Sequence, residues 1–298
     1  MQKFQDPHPI FNIRHQTFPM LTNHHTHSLF SDGSSQPEDY IREAIAKGFD
    51  ILGFTEHSPL AFENTFSFKE NNREEYMALM SALKQKYSGQ IAVYSGMEMD
   101  YVPGMSESFS KIKRDYNLDY LIGSVHLVRA EDNSELWFTD GPDYRTYDKG
   151  LNELFGGDIR KAVTAYFRQT HEMIETQQFD IIGHFDKIKM HNQGRFFKED
   201  EGWYQSLIKE TLLLIQDRDI IVEVNTRGIY KKRSDTTYPG LDILKQIRQM
   251  HIPVMVNSDA HKIHELDGEF EHGFSLLKAA GIDEVVYFKG NGWGFHRV

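Results

Sequence analysis

Three histidines fall within four positions of the stretch TNHHTHSLFSDG, Thr22 to Gly33, and two of them, His25 and His27, alternate. Alternation is the period of a strand, so the two imidazoles share one face. Two neutral imidazoles on one face can grip a cation. Asp32 follows at once in an Asp-Gly turn. Similar donors recur down the chain, each near the end of a short apolar run: Glu56 and His57, then Glu98, His126, His184 with Asp186, Asn225 with Arg227, and Asp259 with His261. A lone histidine after a strand is ordinarily a hydrogen-bonded core residue, and His8, His15, His24, His171, His191, His251, His264, His272 and His296 are read that way. Independent accidents would scatter over helices, loops and strand middles. Six histidines and several carboxylates at strand ends point to one site.

Nine of these side chains, His25, His27, Asp32, His57, Glu98, His126, His184, Asp259 and His261, are metal-capable. A catalytic zinc takes three protein ligands and keeps a position open, so nine donors imply two to three ions with a carboxylate, Glu98, between them. The chain has no cysteine. The ions must then be held by imidazole and carboxylate, a set that suits zinc, iron or manganese. Neighbouring metals serve a reaction that builds charge on an attacking and a departing oxygen, as in phosphate-ester hydrolysis. A metal-bridging hydroxide would attack phosphorus in line, and the leaving alkoxide would need a proton. Glu56 and Asp186, beside ligands in sequence, are the candidates to supply it, orientation of a ligand imidazole being their other reading. Arg160 and Arg227 are the candidate phosphate-binding cations, Arg227 as a two-pronged contact and not a structural ion-pair partner.

The elements that must position these groups are legible as an alternation. DILGFTEH (50–57), QIAVYSGMEMD (90–100), DYLIGSVHLV (119–128), FDIIGHFD (179–186), DIIVEVNTRG (219–228) and IPVMVNSDAH (252–261) fit buried parallel strands, with Leu21–Thr26 as the first. Helical patterns lie between them, among them SSQPEDYIREAIAKG with Ser35 as N-cap, Pro37 in the first turn and Gly48 at the end. Seven β/α units result, and the sheet is mostly parallel, closed or open. In a barrel all the strand ends converge on one face. Arg129–Gly157 reads as a long loop over one end.

The 298 residues are 39% hydrophobic, enough for one large core, and a single domain over 1–298 is expected. A net charge of −11 argues against a basic nucleic-acid groove and favours a small-molecule partner. No stretch approaches the 18 or so apolar residues of a membrane span, so membrane association is not expected and a cytoplasmic location is. Nothing in the chain fixes an oligomeric state.

Taken in order, NHHTHSLFSDG, GFTEHSP, GMEMDY, GSVHLV, IIGHFD, EVNTRG and NSDAH resemble the polymerase and histidinol phosphatase (PHP) family, and TEHSP and GSVH its histidinol-phosphatase branch. The resemblance implies a distorted (β/α)7 TIM-like barrel with up to three metals. It implies His25, His27, Glu98 and Asp259 on one ion, Glu98 bridging to a second held by His126 and His184, and Asp32, His57 and His261 on a third. It further implies a phosphomonoesterase converting L-histidinol phosphate and water to L-histidinol and phosphate, a histidine-biosynthesis step. The sequence departs from the family at Asn23, where an aspartate is usual, and at Arg227, often a small residue in histidinol phosphatases. The alternatives are a PHP enzyme of nucleotide or sugar phosphates and an amidohydrolase-type metal enzyme. The second is disfavoured because no lysine stands at a strand end to bridge metals.

Overall fold

The computed structural model describes residues 20–130 and 135–298; His8 and His15 lie outside the described residues. In chain order the elements are β1 (Thr22–Asn23), α1 (Pro37–Lys47), β2 (Ile51–His57), α2 (Arg73–Tyr87), β3 (Ala92–Asp100), α3 (Phe109–Asp115) and β4 (Tyr120–Ser124). A hairpin follows, β5 (Leu127–Arg129) and β6 (Leu136–Phe138), then α4 (Tyr144–Phe155), α5 (Ile159–Thr176) and β7 (Ile181–Ile182). The remainder is α6 (Gly202–Asp217), β8 (Ile221–Asn225), α7 (Arg227–Tyr230), α8 (Leu241–Gln249), β9 (Val254–Asn257), α9 (Phe270–Ala280) and a second hairpin, β10 (Glu284–Phe288) with β11 (Trp293–Arg297).

Seven strands form one sheet in the order β1-β2-β3-β4-β7-β8-β9, all pairs parallel. The sheet curls until its first and last strands meet. Thr26 bridges Ala260, and His27 N donates to the Ala260 carbonyl at 2.8 Å. Asn23 pins the seam: its amide donates to Ser258 Oγ at 2.7 Å and to the Leu266 carbonyl at 3.3 Å, while its oxygen accepts from His25 N at 3.2 Å. An aspartate there could accept but not donate, a physical reason for the departure at this position. The nearly closed barrel is the expected α/β architecture.

Both faces of the strands are covered, which is why they read as unbroken apolar runs. The starts of the strands carry a second core, in which Tyr120, Ile122, Ile181, Ile221 and Met255 pack on Val286 and Phe288 of β10. The β10–β11 hairpin therefore closes the barrel end opposite the metal-capable residues. Tyr120 fills its interior so tightly that a Cβ on Gly53 would stand 1.9 Å from the Tyr120 hydroxyl.

Several sequence expectations are corrected. Gln36, not Ser35, precedes α1 and makes no side-chain cap, while Pro37 and left-handed Gly48 mark its ends as expected. FDIIGHFD shortens to Ile181–Ile182, and NTRG opens a helical turn. The long loop 129–157 begins at the last residue of β5 and holds β6 and α4. No described helix is long and apolar enough to cross a membrane.

Candidate metal centre

The strand register sets the site. His57 and Glu98 are paired across β2 and β3, so both side chains leave the sheet at one height. His25 and His27 approach from the seam, His126 follows β4, His184 follows β7, and Asp259 and His261 follow β9. Two of these residues, His184 (φ 24) and Asp259 (φ 55), hold left-handed backbone conformations without being glycine. Such conformations cost about 1–3 kcal/mol each and persist where the surroundings over-determine them.

All nine expected ligands converge. Glu98, 1% exposed, is the centre. Its Oε2 lies 3.2 Å from His25 Nε2 and 3.4 Å from His27 Nε2, and its Oε1 lies 2.9 Å from His184 Nε2 and 3.5 Å from His126 Nε2. Asp259 Oδ1 stands 3.4 Å from His27 Nε2 and 3.8 Å from His25 Nε2. A third group gathers outward: Asp32 Oδ2 is 3.2 Å from His261 Nε2, and Asp32 Oδ1 is 3.9 Å from His57 Nε2 and 3.8 Å from His27 Nδ1. Four overlapping sets have one donor atom from each member within 4.8 Å of the others: His27, Asp32, His57 and His261; His25, His27 and Asp259; Glu98, His126 and His184; and His57, Asp100 and His126.

The donor set fits divalent cations. His25 Nε2 and both His27 ring nitrogens are buried without a hydrogen-bond partner, and buried polar atoms seldom stay unpaired. Charge supports the same reading. Burial opposes ionisation of Glu98, yet His25, His126 and His57 hold its pKa well below the ordinary carboxylate range. Burial likewise opposes protonation of His57, but Glu98, Asp100 and Asp32 outweigh it and push its pKa up to about 10. Burial and the neighbouring His261 and His57 hold His27 down to about 3.

Two carboxylates that sequence reasoning missed orient the ring. Glu223, fully buried in β8, accepts from His25 Nδ1 at 2.6 Å and from His184 N at 3.0 Å. Asp100 accepts from His126 Nδ1 and, at 3.2 Å, from His57 Nδ1. A hydrogen bond on one ring nitrogen fixes the tautomer and frees the other to ligate. The alternation itself could have flagged Asp100, two residues beyond Glu98 on the same strand.

Other candidates fall elsewhere. Glu56 faces away from the ligands and accepts from Ser28 N at 3.0 Å and from the Ser28 and Ser31 hydroxyls, so it secures the turn that carries Asp32. Asp186 is fully buried beside Lys189 Nζ at 2.7 Å, and burial pushes its pKa up to about 6; none of its contacts is to a ligand. Neither supports the expected role of proton donor. Arg160 is exposed, with its guanidinium 5.5 Å over the Trp203 ring, remote from the ligand contacts. Arg227 does border the cluster, but its Nη1 already donates to the Asp259 carbonyl at 2.6 Å and the Tyr230 hydroxyl at 3.3 Å. Its guanidinium also lies 3.9 Å from Asp259 Oδ2 and 3.7 Å from Glu265 Oε2, so Arg227 is an ion-pair partner within the fold, contrary to the expectation. Lys187, unforeseen, also reaches the cluster, with Nζ 2.8 Å from Asp140 Oδ2 and 3.9 Å from Asp259 Oδ2. Its ammonium is ion-paired, unlike a metal-bridging lysine.

The PHP domain model matches residues 23–227. The chain is 26% identical to a protein named "Probable histidinol-phosphatase" from Deinococcus radiodurans, over 90% of this chain and 96% of that one. It is also 26% identical to the histidinol-phosphatase of Bacillus subtilis, over 83% and 96%. Among solved structures, histidinol phosphate phosphatase from Lactococcus lactis, complexed with zinc, L-histidinol and phosphate, superposes with a TM-score of 0.62 at 20% identity, covering 92% of this chain and 98% of that one.

Proposed function

Because the chain belongs to the PHP domain family, we propose that its strand-end cluster holds two to three divalent cations and hydrolyses phosphate monoesters, L-histidinol phosphate foremost. The observation that carries this reading is Glu98, whose two oxygens face two different groups of imidazole nitrogens. We assign His25, His27, Glu98 and Asp259 to one ion, Glu98, His126 and His184 to a second, and Asp32, His57 and His261 to a third. When bound, such ions lower the pKa of water towards neutrality and take up charge on phosphoryl oxygens.

The protein's own groups do the rest. Lys187 and Arg227 border the cluster and supply fixed positive charge for the phosphoryl oxygens, Arg227 as a fork and Lys187 as a point charge. Glu223 and Asp100 keep protons on the Nδ1 atoms of His25 and His126, leaving the Nε2 lone pairs towards Glu98. The relatives named histidinol-phosphatases, which this chain matches over most of its length, support the amino-alcohol phosphate as substrate.

Phosphate release by purified, metal-loaded protein, measured over L-histidinol phosphate, sugar and nucleotide monophosphates, oligonucleotides, and amide and lactone substrates, tests the proposal. The expected outcome is turnover of phosphomonoesters with L-histidinol phosphate preferred, two to three metal equivalents per chain, and loss of activity on chelation. Full activity with a single ion, or turnover confined to amides or lactones, would overturn it.

A further inference from the structure

Arg227, where the sequence departs from the histidinol-phosphatase pattern, is bonded to one of the proposed ligands. Its Nη1 donates to His261 Nδ1 at 2.9 Å, as well as to the Asp259 carbonyl at 2.6 Å and the Tyr230 hydroxyl at 3.3 Å. A guanidinium has donors only. His261 Nδ1 must therefore accept, which leaves the ring proton on Nε2, and Nε2 faces Asp32 Oδ2 at 3.2 Å. The inner imidazoles are set the opposite way: Glu223 and Asp100 accept from the Nδ1 atoms of His25 and His126, leaving Nε2 to ligate. Asp32, His57 and His261 are also the group that solvent reaches. Asp32 is exposed and His261 half-buried, whereas His25, His27, Asp259, Glu98, His126 and His184 are all buried.

We infer that Arg227 guards this outer group: its bond to His261 and an ion held by His261 Nε2 exclude one another, so the group fills readily only when an anion draws the guanidinium away. The inference rests on the ligand assignment proposed above. For Nε2 to ligate, the His261 proton must cross to Nδ1, where the Asp259 carbonyl at 3.1 Å can accept it. The Nδ1 proton would then meet the Nη1 hydrogens of Arg227, donor against donor at 2.9 Å. A fixed positive charge one imidazole away from a cation adds to the conflict. Both are relieved when the guanidinium turns off His261, and a phosphate dianion offers it another partner, because the fork matches phosphate oxygens. Phosphate and the outer ion thus favour each other through Arg227, and by linkage each tightens the other equally.

Calorimetric titration of zinc into chelated protein, in phosphate-free buffer and again with inorganic phosphate, compares the parent with Arg227→Met, which keeps the length of the side chain but has neither donors nor charge. Without phosphate, the parent should bind its last equivalent roughly 5- to 150-fold more weakly than Arg227→Met does. Loss of a merely structural arginine would move the affinity the other way. Phosphate should tighten the last equivalent more in the parent than in the variant, and Asp32→Asn should abolish it in both backgrounds. In the parent alone, imidazole nitrogen NMR should find His261 protonated on Nε2 before zinc is added and on Nδ1 after the last equivalent. A last equivalent no tighter in folded Arg227→Met, or a His261 protonated on Nδ1 from the start, would overturn the inference while leaving the hydrolase reading intact. Fewer than two equivalents bound even with phosphate refutes the multinuclear reading and the inference with it.

Discussion

Replacing Glu223 by Gln removes one charge and changes almost no volume, yet the site should feel it strongly. Each carboxylate oxygen faces two donors: Oε1 accepts from His25 Nδ1 at 2.6 Å and Asn257 Nδ2 at 3.0 Å, and Oε2 from His184 N at 3.0 Å and Asn225 Nδ2 at 3.1 Å. A glutamine must set its NH2 against one of these pairs, donor against donor. If the NH2 takes the Oε1 side, His25 can relieve the clash only by moving its proton to Nε2, the nitrogen 3.2 Å from Glu98 that is meant to ligate. Loss of a charge-assisted bond costs about 1.5–3 kcal/mol and a stranded buried donor about 1–3 kcal/mol. The metal-free protein should therefore melt roughly 5–15 °C lower. Losing the partner of a ligand imidazole typically weakens metal affinity about 10- to 100-fold. Competition with a chromophoric chelator reads the affinity, and calorimetric melting reads the fold. A Glu223→Gln protein that matched the parent in both would refute the orienting role.

Glu98→Gln should lose or misplace two ions together, so that elemental analysis shows a deficit of more than one equivalent per chain; parental metal content with parental turnover would contradict the bridging assignment. Arg227→Ala should lower kcat/KM roughly 10- to 150-fold, the worth of a charged hydrogen bond. Because Nη1 also holds the Asp259 carbonyl, the melting temperature should fall too, and Arg227→Lys should recover only part of the rate. His57, held near 10 by Glu98, Asp100 and Asp32 against the cost of burial, stabilises the metal-free fold fully below its unfolded pKa of about 6.5. That contribution is lost as pH rises through 10, so chelated protein should melt progressively lower from pH 7 to 10 while metal uptake tightens over the same window. A metal-free melting temperature that climbed across it would count against the proton on His57.

Much of the site was legible because its chemistry repeats at the ends of strands. The nine proposed ligands are residue types that rarely gather by chance, and all but Asp32, in the turn just beyond, sit where an apolar run stops. The orienting carboxylates were not legible in this way. Glu223 lies inside VEVN, where a lone acid in an apolar run resembles a registry error until the barrel curls and presents His25 to it across the sheet. Lys187 and Asp140 come from separate loops, and nothing local signals that 2.8 Å will separate them. Conversely, Glu56 and Asp186 were read from adjacency to ligands, but neighbours along a strand point to opposite faces, and Glu56 beside His57 is turned away for that reason. The β10–β11 hairpin escaped because short antiparallel strands after a run of β/α units have no alternation to extend.

The seam between Thr26 and Ala260 joins the beginning of the barrel to its end, and this sets a schedule for synthesis. A ribosome adding about 5–20 residues per second needs on the order of 10–50 s to travel from His27 to Asp259. Throughout that interval His25 and His27 are a pair of imidazoles just past β1, whose last neighbour is missing, able to touch a passing ion without the side chains of Asp259 and His261 to help enclose it. The full grip arrives only when Asp259 and His261 emerge and the last strand docks against the first. Of the proposed ion sites, the two that include Asp259 or His261 are therefore incomplete in a product that stops short of residue 259, whereas Glu98, His126 and His184 all lie in the part already made.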